Sequence, residues 1–214
     1  MMMRQLTILD QLIINFDQGL HTVLGHAHCS SRDNPAATVA ETELSEPEKR
    51  LSVRLMRVNH AGEISAQALY QGQALTARMP QVRDKLRQFA QEENDHLLWC
   101  HSRIKALGGR SSLLNPFWYS GSLAIGTLAG LSGDKWSLGF VTETERQVVK
   151  HLEKHLQRVP PHDFKSQAIL EQMKYDEARH GSTALKAGGV RLPKPVGWLM
   201  SGVARVMTTT AYWL

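Results

Sequence analysis

Apolar residues return at every third or fourth position along most of this chain, the spacing of a helix that buries one side. Over residues 5–25 the stripe is Leu9, Leu12, Ile13, Phe16, Leu20 and Leu24. Residues 26–44 lose the pattern and turn polar, which predicts a linker or long loop. Ser45-Glu46-Pro47-Glu48 then opens a helix. Ser45 can cap it, Pro47 suits an early helical position, and Glu48 completes a capping box. This helix is expected to reach about Met79, before Pro80. The next, 81–107, carries Val82, Leu86, Phe89, Glu93, His96, Cys100 and Leu107 on one side and stops at Gly108-Gly109. Further helices are predicted over 137–158, closed by Pro160-Pro161, and over 163–187, closed by Gly188-Gly189. Alternating strand patterns are scarce, so the fold class is all-α.

Two segments are more apolar than the rest. Residues 113–133, LLNPFWYSGSLAIGTLAGLSG, hold Pro116, four glycines and three serines. A membrane span needs about 20 apolar residues without such breakers. An apolar crossover helix, in the core or at a membrane surface, is the expectation. The tail 195–214 reads as an amphipathic helix with Trp198, Leu199, Val203, Val206 and Trp213, one arginine and no acid. That suits a membrane surface or docking on the bundle.

The polar interruptions of the apolar stripes repeat. Glu93 and His96 are three apart, and so are Glu177 and His180, which puts each pair on one helix side. Glu63 precedes Glu93 by 30 residues, and Glu145 precedes Glu177 by 32. Each interval folds back at a proline. From Glu63 to Met79 is about 24 Å of helix and from Pro80 to Glu93 about 20 Å. The arms of the second interval measure about 23 and 24 Å. Two pseudo-symmetric helical hairpins therefore each set a lone glutamate level with an E-x-x-H pair. The stripe through Met56, Asn59, Glu63, Ala66 and Tyr70 is less apolar than the others.

Four acids and two imidazoles inside one bundle are costly unless neutralised. Two divalent cations supply that neutralisation. The candidate metal ligands are thus Glu63, Glu93, His96, Glu145, Glu177 and His180, the donor set of ferritin-like dinuclear carboxylate proteins. Mixed carboxylate and imidazole donors favour iron or manganese, and two iron ions are the expectation. A ligating histidine usually donates its other N–H to a carboxylate. The residue before each motif glutamate is acidic, so Asp176 is expected to hold His96, and Glu92 to hold His180, across the bundle.

Composition adds bounds. With 214 residues, 42% of them hydrophobic, a sizeable core is available. Cys29 and Cys100 make no disulfide framework, which favours a reducing compartment. The start, MMMRQLTILDQLI, lacks the apolar core and cleavage site of a secretory signal. Net charge +5 and pI about 9.4 suit an acidic partner, either anionic lipid or nucleic acid. The organisation expected is an N-terminal helix and polar linker over 1–44, then a metal-binding domain over 45–214. His21, His26, His28 and Cys29 read as a sparse polar loop.

The six residues, set in RVNHAGEISAQALYQGQ, EENDHL and YDEARHG, closely resemble the demethoxyubiquinone hydroxylase family, the Coq7 type. The resemblance covers residues 47–214. It implies a ferritin-like four-helix bundle with additional membrane-facing helices. It also implies a di-iron monooxygenase of ubiquinone biosynthesis that uses dioxygen to hydroxylate a polyprenyl methoxy-methyl-benzoquinol. The family's ligand positions fall on the same six residues. Many members carry a His-Tyr pair after the third-helix glutamate, proposed to aid electron transfer. Here it reads His151-Leu152, so His151 remains as a relay candidate without the tyrosine.

The implied setting is peripheral, on the cytoplasmic side of the bacterial inner membrane. The implied partners are a polyprenyl quinol, membrane lipid and other ubiquinone-biosynthesis proteins, with no nucleic acid. An external electron donor is required, and NADH is a candidate. Two competing readings remain: a di-iron hydroxylase of another substrate such as a modified tRNA base, and a non-catalytic quinone- or lipid-binding scaffold.

Overall fold

The computed structural model describes residues 32–214 together with Asp17, Gly19 and Thr22. Apart from those three positions, the helix predicted over 5–25 lies outside the described residues, as do His21, His26, His28 and Cys29. Residues 32–214 form six helices and no strand: α1 (Glu46–Thr76), α2 (Pro80–Ala106), α3 (Asn115–Leu131), α4 (Asp134–Leu156), α5 (Phe164–Lys186) and α6 (Lys194–Trp213). Helices α1 and α2 form one hairpin and α4 and α5 another. The hairpins meet along α2–α5 and α1–α4, which closes a four-helix bundle.

Local chemistry sets the ends. The Glu48 carboxylate accepts from the backbone N–H and the hydroxyl of Ser45, at 2.9 and 2.6 Å, at the start of α1. Asp163 caps α5 by accepting from the Ser166 N–H at 3.0 Å. The turn between α1 and α2 is fixed from a distance. Buried Asp134 accepts from the backbone N–H groups of Arg78 and Met79, at 3.0 and 2.8 Å. The first hairpin's tip is thus tied to the start of the second hairpin, and α1 ends three residues earlier than the proline alone implied. Gly133, at φ 101°, breaks the chain between α3 and α4, so α4 begins at Asp134 rather than 137.

The core lies in two apolar layers. One gathers Leu55 and Met56 of α1, Trp99 and Ile104 of α2, Leu152 of α4, and Leu170 and Met173 of α5. The other gathers Tyr70 of α1, Leu86 and Phe89 of α2, Leu138 and Val141 of α4, and Ala184 of α5. Each fully buried large side chain contributes roughly 1.5–3 kcal/mol. The metal-ligand candidates fall between these layers.

Helices α3 and α6 both pack on the outer side of α1. For α3 the approach is backbone to backbone. A Cβ on Gly126 would sit 2.2 Å from the Leu69 carbonyl oxygen, and one on Gly72 would sit 2.4 Å from that of Leu123. Two of the four glycines that argued against a span, Gly126 and Gly130, therefore lie on the contact side of α3, whereas a Cβ on Gly121 or Gly133 would meet nothing. Among the described residues no helix is long and apolar enough to cross a membrane.

The segment from 32 to 45 carries no helix and is strapped to the bundle. Ala36 and Leu44 are buried. Glu41 pairs with Arg103 at 2.9 Å, and Arg103 also pairs with Asp163 at 2.6 Å.

Candidate metal centre

Helix α1 supplies Glu63, α2 supplies Glu93 and His96, α4 supplies Glu145, and α5 supplies Glu177 and His180. All six are buried at the level between the two apolar layers. Their donor atoms form two overlapping groups, Glu63–Glu93–His96–Glu177 and Glu93–Glu145–Glu177–His180, in each of which every atom lies within 4.8 Å of the others. Glu93 and Glu177 belong to both groups, whereas Glu63 and Glu145 belong to one each.

Both imidazoles turn Nδ1 inward. His96 Nδ1 lies 3.0 Å from Glu93 Oε2, 3.1 Å from Glu177 Oε1 and 3.4 Å from Glu63 Oε2. His180 Nδ1 lies 3.2 Å from Glu177 Oε2 and 3.3 Å from Glu93 Oε1. The outward nitrogens face carboxylates. His96 Nε2 is 3.1 Å from Asp176 Oδ2 and His180 Nε2 is 2.7 Å from Glu92 Oε2. A proton on each Nε2, donated outward, leaves each Nδ1 lone pair free for a cation. Phe89 packs against the His180 ring at 4.7 Å and Trp99 against the His96 ring at 5.4 Å, which fixes both ring planes.

The charge balance without a cation is poor. Burial first, and then the negative charges of Glu93 and Glu177, push the Glu63 carboxyl well above its ordinary range. Burial and then Glu177 do the same to Glu145. Burial alone would lower both histidines. The charge of Glu93 outweighs it at His96, and hydrogen bonds to Glu145 and Glu177 outweigh it at His180, so both are raised. Without metal, Glu63 and Glu145 are thus held toward the protonated form and both histidines toward the imidazolium, and contacts with those imidazolium groups outweigh burial to hold Glu93 and Glu177 below the ordinary carboxylate range. Glu63 Oε2, Glu93 Oε1 and Glu177 Oε1 are buried and accept no hydrogen bond. Orphaned carboxylate oxygens beside inward-facing imidazole nitrogens could hold a metal ion, and the residues fit that role.

Three further residues complete the surroundings. Tyr70, two turns beyond Glu63 on α1, donates its hydroxyl to Glu145 Oε1. Arg179 bridges the outer carboxylates, 2.6 Å from Glu92 and 3.4 Å from Asp176. Arg32 reaches Asp176 at 2.7 Å and Asp95 at 2.6 Å, with its guanidinium 4.9 Å from the Trp99 ring. A hydrogen bond from His180 is the main reason that Glu92 is held at about 2. Burial would raise Asp176, but hydrogen bonds from His96 and Arg32 hold it below the usual range. Sequence spacing offered a signal only for Tyr70, seven positions after Glu63. The arginines arrive through tertiary contact.

His151 is not brought into either group. Its ring packs against that of His155 at 3.9 Å with the planes tilted by 56°, its Nε2 is buried without a partner, and burial lowers it to about 4. Leu152 is fully buried in the apolar layer with Met56, Trp99 and Met173.

The model of the ubiquinone biosynthesis protein COQ7 family matches residues 50–211. A 3-demethoxyubiquinol 3-hydroxylase of Nitrosococcus oceani is 59% identical over 211 residues, covering 99% of both chains. Proteins of the same name from Nitrosomonas europaea and Acinetobacter baumannii are 55% and 53% identical, over 96% and 99% of this chain and 99% and 100% of their own. The chain belongs to the COQ7 family of ubiquinone biosynthesis proteins.

Proposed function

We propose that this chain is a di-iron monooxygenase that hydroxylates the ring of a polyprenyl methoxy-methyl-1,4-benzoquinol, taking demethoxyubiquinol to demethylubiquinol. The observation that carries this reading is the pair of overlapping four-donor groups sharing Glu93 and Glu177. It occurs in a chain matched over nearly its whole length by proteins named for that hydroxylation. The four-helix arrangement supports the ferritin-like reading of residues 45–214, with 1–44 as an N-terminal addition.

Glu63, Glu93, His96, Glu145, Glu177 and His180 would hold the two ions. When bound, an iron pair supplies the activation of dioxygen that ring hydroxylation needs. The chain's own residues supply the rest. Asp176 and Glu92 set the tautomer and plane of His96 and His180. Glu93 and Glu177, which belong to both groups, would help hold both ions, while Glu63 and Glu145 would each help hold one. Tyr70 holds Glu145 in place. The apolar layers on both sides keep bulk water away from the reacting centre.

The substrate's isoprenoid tail belongs in lipid, and the outer faces of α3 and α6 support a peripheral seat on a membrane. Phe117 and Leu128 on α3 are 67% and 66% exposed, and Trp198 and Leu199 on α6 are 72% and 70% exposed. We assign these faces to the cytoplasmic surface of the inner membrane, with NADH or a protein reductase as electron donor. Other ubiquinone-biosynthesis proteins are the expected neighbours. The test is metal analysis of the purified chain followed by quinone profiling of a strain lacking it. Two irons per chain, and accumulation of a quinone short of one methoxy group, are expected. A metal-free chain that still restores normal quinones would refute the reading.

A further inference from the structure

A basic cavity opens at the end of the bundle away from the α1–α2 tip. It measures about 480 Å³, and Lys49, Arg50, Arg54, Arg57, Arg110 and Trp213 line it. Its one acid, Glu46, is taken by Lys49 at 3.1 Å. Arg54 lies over the Trp213 ring at 4.4 Å, which keeps its charge at the wall. Arg57 donates to the Arg110 carbonyl oxygen at 2.9 Å. Burial, and then the charges of Arg110 and Arg54, lower its pKa, a sign of cations crowded without compensation. Arg50 and Arg110 are exposed and make no ion pair among the described residues.

The cavity sits against the apolar outer face. The Leu113 N–H donates to the Leu214 carbonyl oxygen at 3.2 Å, which joins the loop before α3 to the end of α6. Leu113, Phe117, Trp213 and Leu214 are exposed around that junction. A positive hollow is thus bordered by uncovered apolar side chains. That pairing matches an amphiphile with an anionic head and hydrocarbon chains. A soluble phosphate would use the hollow and leave the apolar border without a role.

We propose that this cavity binds the phosphate of an anionic phospholipid headgroup while the rim of Leu113, Phe117 and Trp213 meets the acyl chains. The proposal rests on the membrane-facing reading of α3 and α6 and deepens it. It fixes which end of the bundle meets the charged headgroups, through Arg50 and Arg110 at the mouth.

The test is co-sedimentation of the full chain with vesicles of phosphatidylcholine alone or mixed with phosphatidylglycerol. Wild type is expected to bind the mixed vesicles roughly tenfold more tightly. The double variant Arg50→Ala/Arg110→Ala should fall to the phosphatidylcholine level. A double variant with the same charge loss at the opposite end, Arg87→Ala/Lys135→Ala, should keep most of the preference. Preference retained in the first variant, or lost equally in both, overturns the proposal. Inorganic phosphate and a pyridine dinucleotide, titrated without vesicles against tryptophan fluorescence, form a second arm. A saturable response abolished by Arg50→Ala/Arg110→Ala would overturn the headgroup in favour of a soluble anion. Wild type that ignores both vesicle types refutes the membrane reading and this proposal together. Wild type that binds both equally refutes this proposal alone.

Discussion

Two sets of buried histidines in one bundle behave in opposite ways. His96 and His180 have carboxylates at both ring nitrogens, and their pKa values are raised despite burial. His60, His151 and His155 are also enclosed, but among the described residues no carboxylate pairs with them. Burial lowers them to about 3, 4 and 2, and His101, Lys154 and Arg158 add repulsion. Burial alone therefore does not mark a functional histidine. The difference lies in what surrounds the ring. An Nδ1 turned toward three carboxylates and an Nε2 held by another make a candidate ligand. The Nδ1 of His155, 2.9 Å from Asn59 Oδ1, makes a neutral packing residue.

The sharpest way to break this contrast is to remove a shared carboxylate. Glu177→Ala deletes a donor from both groups, so iron content and hydroxylation should fall together by more than about 100-fold, beyond what an outer-shell change costs. Glu63→Ala touches one group only, and metal analysis should find one ion weakened before the other. The next largest effect is expected one layer out. Asp176→Asn leaves His96 in place but removes its charged partner, and iron affinity should drop about 10–100-fold while the fold persists. Metal titration with circular dichroism on the same sample separates the two outcomes.

The second set of histidines gives smaller effects. Leu152→Tyr introduces the tyrosine that the resemblance implies at a site walled by Met56, Trp99 and Met173, and overpacking should cost about 1–3 kcal/mol in a urea titration. A gain in turnover from that variant would show that the missing hydroxyl had limited the reaction. The smallest effect is a slope. His60 ionises near 6.5 when unfolded and near 3 when folded, so the unfolded chain binds the extra proton between those values. Its contribution to stability is complete above about 6.5 and is lost as the pH falls toward 3. Between pH 6 and 4, His60→Gln should flatten the dependence of unfolding free energy by roughly 1.4 kcal/mol per pH unit. An unchanged slope would mean that His60 is protonated in the fold.

What the sequence disclosed follows the range of each interaction. Helix period and hairpin arms are local, so the helices over 45–214 and the common level of Glu63, Glu93, Glu145 and Glu177 were legible from spacing. Tertiary effects were not. The early end of α1 depends on Asp134 accepting from Arg78 and Met79, 56 and 55 residues away along the chain. Arg32, 144 residues from Asp176, gives no periodic sign of that contact. The apolar run over 113–133 was ambiguous because hydropathy does not say which side is covered. Gly126 against the Leu69 backbone identifies the covered side, and Phe117 and Leu128 the open one.

The central claim is that four helices hold two cations between two apolar layers. Mössbauer spectroscopy on the chain loaded with isotopically enriched ferrous iron tests it most directly. Two irons per chain, coupled to each other after exposure to air, is the predicted result. A single uncoupled iron, or iron bound at undiminished stoichiometry in Glu177→Ala, would contradict it.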